Sequence, residues 1–402
     1  MKGTTQAKLS VMMFLEYFIW GTWYVTMGSY MLANLDGTKD TDIGLAFGAL
    51  AVATMVSPFI VGMIADRYFS AQKIMGVFHL VGAAVLFCAT FITGNSAFYW
   101  IILLYSLLYM PTIALSNSVA FSQMKDPGRQ FPWIRVFGTL GWIAAGLLIG
   151  FLKVESTKYI FYIAGSVSAL LGLFSFILPN TPPKDKVVGV SASSALGAEA
   201  FVLFKNNAYL IFFIAAILVC IPLSFYYGFA NPFLTEIGVE KPAAKMILGQ
   251  VSEGIFILAI PFLFNSIGVK KMLIMGMVAW ILRYVCLAYG NTGANMWMLY
   301  AGIILHGVCY DFFFVTGYMY TEKKAGERIK NAAQGLFTFA TYGVGMFIGT
   351  WLSGVVAGHY STGPKTHDWM SIWFVPAGVA AAVLVYFLIF FKEKREIPPV
   401  TA

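Results

Sequence analysis

Twelve separate runs of about 20 apolar residues, each long enough to cross the hydrocarbon core of a bilayer, constrain this chain more than any motif does. They fall at 9–34, 43–64, 73–93, 97–122, 132–152, 158–178, 207–234, 243–266, 271–290, 295–320, 331–357 and 369–391, and are numbered here as spans 1 to 12. Water is excluded as the solvent for most of the chain. Of its 402 residues 59% are hydrophobic and 11% charged, whereas soluble domains carry about 25% charged residues. The connections are short, and the longest falls in the middle, where Pro182-Pro183, Lys184-Asp185-Lys186 and a Ser/Ala/Gly stretch read as a flexible linker. The expectation is an all-α membrane protein with twelve transmembrane helices in two six-helix lobes, residues 1–178 and 207–391. A linker, 179–206, joins them and a tail, 392–402, follows.

The net charge of +8 is distributed as topology requires. With the N-terminus inside, 18 Lys and Arg fall in cytoplasmic loops and tails. Six (Lys39, Lys153, Lys158, Lys241, Lys245, Lys365) fall on the other side, and Arg135 and Arg283 lie within spans. That bias places both termini in the cytoplasm. Lys2 and Lys8 precede an apolar stretch too long for a signal peptide's hydrophobic region, with no small-residue cleavage site, so it reads as a retained first span. The four cysteines and four histidines are scattered, and neither a disulfide framework nor a metal site is implied. Metallopeptidase, Walker, Rossmann and nucleophile-elbow patterns are missing from any loop able to hold them. No cofactor and no nucleic-acid partner is expected.

A weak internal repeat links the halves. Ser57-Pro58-Phe59 near the end of span 2 returns as Ile260-Pro261-Phe262 near the end of span 8, and each precedes a basic turn and a Met-Gly pair (Met75-Gly76; Met275-Gly276). Between spans 2 and 3, Gly62-Met63-Ile64-Ala65-Asp66-Arg67 resembles the G-x-x-x-D-R loop signature of major facilitator transporters. Gly62 allows close helix approach, and Asp66 and Arg67 suit a cap or an ion pair at a cytoplasmic gate.

Ionisable groups inside spans carry the functional information, because each costs about 2.5–3.5 kcal/mol to insert. They are Glu16, Arg135, Glu253, Arg283 and Asp311, with titratable His306. At about 1.5 Å per residue, Glu253 and His306 fall near the midplane. Glu16, Arg135 and Asp311 fall in the cytoplasmic half, where Arg135 can pair with one of the acids. Arg283 falls nearer the outer surface, where it can snorkel. Helical spacing groups Glu16, Trp20 and Trp23 on span 1; Arg135, Thr139 and Trp142 on span 5; Gln250 and Glu253 on span 8; and His306 and Tyr310 on span 10. Titratable groups beside aromatics suit a polar ligand with a flat ring, stacked on its faces and hydrogen-bonded at its edge. The residue types alone leave open a sugar symporter, a drug–proton exporter and a receptor without transport.

The chain resembles the nucleoside–proton symporter family of the major facilitator superfamily. The likeness rests on Trp20-Gly21-Thr22-Trp23 and Gly28-Ser29-Tyr30-Met31, Tyr109-Met110-Pro111-Thr112, Phe131-Pro132 with Ile134-Arg135 and Gly138-Thr139, Ser252-Glu253, Ala279-Trp280-Ile281-Leu282-Arg283, Asp311-Phe312-Phe313 and Ala333-Gln334-Gly335. The resemblance implies import of nucleosides with protons across the inner membrane of a bacterium, by a monomer embedded in lipid. It implies a site built from Arg135, Thr139, Trp142, Gln250, Glu253, Tyr310 and Asp311, with Trp20, Trp23, Tyr227 and His306 beside it. Glu253 is the first candidate for proton coupling and Asp311 the second. Two departures touch selectivity: Ser224-Phe225-Tyr226-Tyr227 stands where family members carry polar amides, and His306 stands in place of a tyrosine.

Overall fold

A computed structural model of the chain describes residues 3–60, 69–182, 198–363 and 365–392. Gly62, Asp66 and Arg67, most of the 179–206 linker and nearly all of the tail lie outside the described residues. Among those described, ten helices are long and apolar enough to cross a membrane. Two helices at expected span positions are not among the ten: Gly3–Trp23, which opens on a polar turn, and Tyr159–Ser175, which has 17 residues. A small antiparallel hairpin, Ser361–Gly363 with Thr366–His367, lies between spans 11 and 12.

Local chemistry sets the helix ends. Asn206 caps Asn207–Glu236 by accepting from the Tyr209 amide at 3.1 Å, and Asp368 caps Trp369–Phe390 by accepting from the Ser371 amide at 3.2 Å. Span 1 is not the continuous helix its apolar run predicts. It breaks after Trp23 and resumes as Met27–Asn34. Thr22 donates to the Phe18 carbonyl at 2.7 Å, and the Thr26 hydroxyl reaches the Thr22 and Trp23 carbonyls, so hydroxyls compete with amides for the backbone acceptors. Spans 10 and 11 each contain a π-helical stretch, Asp311–Val315 and Phe339–Gly345, of the kind that widens a helix at functional positions. The chain turns between them at Gly326, whose φ of 65° suits a residue without a Cβ.

Spans 1 and 5 form a close pair in the first half, and spans 8 and 10 in the second. A Cβ on Gly141 would collide with the Phe14 carbonyl, and one on Gly307 with Ser252. Small residues thus let membrane helices approach backbone to backbone. Across the halves, span 5 packs on span 8 and span 2 on span 11, which turns the polar faces of spans 1, 5 and 8 toward one central space.

Among the described residues, every side-chain hydrogen bond between the halves lies at one end of the bundle. Ser29 donates to Asn231 Oδ1 at 2.6 Å, and Glu155 Oε2 accepts from Asn231 Nδ2 at 2.8 Å and from the Ala243 amide at 3.0 Å. His367 Nε2 lies 3.2 Å from Asp40 Oδ1, while its Nδ1 is 2.7 Å from Glu236 Oε2. Both ring nitrogens therefore face carboxylates, an arrangement for the imidazolium form. Burial lowers the pKa of His367, but the hydrogen bonds and charges of Asp40 and Glu236 outweigh it and lift the pKa above the ordinary 6.5. A raised folded-state pKa stabilises fully below about 6.5, and the benefit is lost as pH rises through the lifted value. The melting temperature of the wild type should therefore exceed that of His367→Gln at pH 6, and the gap should close toward pH 9. A gap that stays constant with pH would show that the imidazolium does not carry this tie.

Candidate functional site

The central space is a cleft enclosing about 710 Å³ of non-atom space, its open mouth included. Span 5 presents Arg135, Gly138, Thr139 and Trp142 to it, at helical spacings of three, four and seven residues. Span 1 presents Tyr17, Trp20 and Tyr24, span 7 Tyr227, and span 8 Gln250 and Glu253. Span 10 adds Tyr310, and span 11 adds Tyr342 and Met346.

The Arg135 guanidinium lies over the Tyr17 ring, 4.1 Å from its centroid, a cation–π contact that holds the charge at the wall. Gly138 makes this possible: a Cβ there would stand 2.7 Å from Arg135 Nη1 and 2.8 Å from Tyr17 Cδ2. Trp20 and Trp142 meet edge to face at 5.3 Å, and Tyr24 links Trp20 at 5.6 Å to Tyr227 at 5.4 Å. The Tyr310 and Tyr342 hydroxyls hydrogen-bond to each other across spans 10 and 11. Glu253 remains partly exposed to the cleft, and Trp20 Nε1 is buried without a hydrogen-bond partner. The walls therefore combine aromatic faces with a guanidinium, a carboxylate, an amide and hydroxyls. Among the described residues, no group of three or more His, Cys, Asp or Glu could hold a metal ion.

Of the eleven residues expected at or beside the site, eight line the cleft, and Trp23, His306 and Asp311 do not. Trp23 is fully buried behind it, packed edge-on against Tyr105 at 5.5 Å. The sequence grouping of span 1 is one residue off: Glu16 faces spans 3 and 4 and Trp23 spans 4 and 6, whereas Tyr17, Trp20 and Tyr24 face the cleft. His306 also lies behind the wall, fully buried and stacked on Tyr226 at 5.3 Å. Its Nε2 is 3.9 Å from Glu253 Oε2. Gly249 lets span 8 cover it, since a Cβ there would stand 3.1 Å from His306 Cβ.

Two charge placements also differ from expectation. Arg283 does not snorkel. It is fully buried, lies 3.5 Å over the Tyr226 ring and holds Nη1 2.7 Å from His306 Nδ1. Glu16 bonds to His79 rather than to Arg135, with 2.9 Å between Oε2 and Nε2. Asp311 opens the π-helical turn of span 10, fully buried, both carboxylate oxygens without a hydrogen-bond partner and outside the cleft lining. Sequence reasoning passed over Tyr17, Tyr24, Tyr342 and Met346. The first two could have been found from their spacing about Trp20.

A helical membrane bundle whose two halves enclose a half-polar, half-aromatic cleft is the design of a solute transporter. A family model described as nucleoside H+ symporter matches residues 3–396, and the chain belongs to that family. It is 42% identical to the putative nucleoside transporter YegT of Escherichia coli K12, over 97% of this chain and 94% of that protein. It is 38% identical to the xanthosine permease of the same organism, over 97% and 96%. A crystal structure of the nucleoside transporter NupG superposes with a TM-score of 0.89 at 33% identity, covering 97% of this chain and all of that one. The fold is that of the major facilitator transporters.

Proposed function

We propose that this chain imports nucleosides together with protons across the inner membrane of a bacterium, by alternating access of a site between two six-helix lobes. The lobes are residues 1–178 and 207–391, joined by the 179–206 linker, and the tail at 392–402 lies with the N-terminus in the cytoplasm. The distribution of Lys and Arg supports this orientation, and it puts the inter-half hydrogen bonds at the outer end. The observation that carries the reading is the convergence of Arg135, Thr139, Gln250 and Glu253 with Trp20, Trp142 and Tyr227 on one cleft. The indoles and phenols take the faces of a base, and the polar groups take its edge and the ribose hydroxyls. Glu253, facing the cleft beside Gln250, is the first proton carrier, and Asp311 the second candidate.

The test is thermal protection of the purified protein. A ligand that binds only the folded state stabilises it by about RT ln(1 + [L]/Kd), some 2.7 kcal/mol at a hundred times Kd. Ribonucleosides should raise the melting temperature, while free ribose and free bases, each filling part of the site, should raise it less. Protection by hexoses and none by nucleosides would replace this reading with a sugar symporter.

A further inference from the structure

Behind the cleft wall, spans 1, 3, 4 and 6 close around a cluster that the cleft chemistry does not use. Glu16 is fully buried and His79 is 2% exposed, and Glu16 Oε2 lies 2.9 Å from His79 Nε2. The hydrogen-bond directions fix where protons reside. Ser168 spends its one hydroxyl hydrogen on the His79 carbonyl, at 2.9 Å, and its Oγ is 3.1 Å from His79 Nδ1. Nδ1 must therefore be the donor in that contact. One proton is then shared between Nε2 and Oε2, as imidazolium with carboxylate or as imidazole with carboxylic acid, and in both forms the pair is neutral.

The other carboxyl oxygen provides room for one more. Thr112 Oγ1 lies 2.6 Å from Glu16 Oε1 and 2.7 Å from the Tyr109 carbonyl. With its hydrogen on Oε1, Thr112 satisfies the neutral pair. With that hydrogen turned to the Tyr109 carbonyl, Oε1 can carry a proton and donate it to Thr112 Oγ1. Rotating one hydroxyl thus admits an additional proton while every hydrogen bond is kept, and the pair then carries one positive charge. Both states thus avoid the penalty that burial places on a polar group left without a partner.

The cluster is mechanically joined to the cleft. The Tyr109 hydroxyl donates to the Glu16 carbonyl at 2.6 Å, and its ring meets Trp20 at 6.1 Å. The titratable and charged groups facing Glu16 are Tyr17 on its own span, His79 on span 3, Tyr105 and Tyr109 on span 4 and, beyond the Tyr17 ring, Arg135 on span 5. Span 6 contributes only the Ser168 hydroxyl. Arg135 repels a positive pair, so the added proton responds to how the cleft holds Arg135.

We propose that Glu16 and His79 form a second proton station of the symporter, so that two protons enter with each nucleoside, one on the cleft carboxylate and one on this pair. Each proton is taken up from the outer solution and released inside, and no bond of the substrate changes. The proposal rests on the nucleoside–proton reading above. Its test uses the full chain in proteoliposomes, with the membrane potential clamped to zero and the outside one pH unit more acid. Each coupled proton then permits about tenfold accumulation. Wild type should approach about 100-fold accumulation, and Glu16→Gln, which keeps the shape and the Thr112 contact, about tenfold. A wild type that stops near tenfold, or a Glu16→Gln variant that still reaches 100-fold, overturns the proposal. Should Glu16→Gln fail to insert, Glu253→Gln decides: it should retain about tenfold accumulation through the intact pair, and complete loss with binding preserved overturns the second station. A wild type that neither binds nucleoside in calorimetry nor accumulates it removes the transport reading itself, and the pair's role with it.

Discussion

Arg135→Ala is expected to lose nucleoside binding in isothermal calorimetry by at least tenfold while the protein still inserts and folds. Arg135 is held at the cleft wall over Tyr17 by contact with the ring rather than by a carboxylate, so its donors are available to a ligand. Removing it strips the site of its fork of hydrogen-bond donors and leaves the ligand's acceptors without a partner, at a cost of about 1–3 kcal/mol and more where charge is involved. Gln250→Ala should weaken binding in the same direction but less, since a neutral amide is lost. Arg135→Lys should fall between, because an ammonium keeps the charge and not the planar fork. Wild-type affinity in Arg135→Ala or Gln250→Ala would remove that residue from the site.

Glu253→Gln is expected to uncouple rather than to disarm. A nucleoside is neutral and needs no counter-ion, which leaves the carboxylate free to carry a proton. The amide reproduces the shape of the protonated acid, so binding should stay within a few-fold of wild type. Accumulation driven by an inward gradient of one pH unit should nevertheless fall about tenfold, the contribution of one proton. With a membrane potential the loss grows, because each proton moved through 100 mV supplies about 2.3 kcal/mol. Uptake into proteoliposomes with and without the gradient measures this. If Glu253→Gln accumulates substrate as wild type does, the role passes to Asp311, and Asp311→Asn repeats the experiment.

The positions of ten spans were legible because a helix in lipid must satisfy its backbone internally and cover itself with apolar side chains. The faces of spans 5 and 8 were legible because a charge inside a span is costly and helical spacing carries its neighbours to the same side. On span 1 that logic admitted two answers. Glu16, Trp20 and Trp23 satisfy helical spacing as well as Tyr17, Trp20 and Tyr24 do. The choice is made by His79 and Thr112, which receive the Glu16 carboxylate from spans 3 and 4 and are 63 and 96 residues away in sequence. Arg283 failed for a similar reason. Its depth allowed snorkelling, and only the Tyr226 ring and His306, brought in from spans 7 and 10, explain why it stays inside. The π-helical turns of spans 10 and 11 left no composition signal.

The four hydrogen bonds that fasten the halves at one end of the bundle bear on how often the carrier turns over. A neutral hydrogen bond contributes about 0.5–1.5 kcal/mol net and a charged one about 1.5–3, because water takes the place of each partner when the contact opens. Their sum is a few kcal/mol, comparable with what one or two protons supply in crossing an energised membrane. A fastening that shallow biases the resting carrier toward one side without marooning it there. Fluctuation and ligand can undo it in every cycle, and so the same contacts that hold the halves together at that end leave the protein able to run repeatedly instead of once.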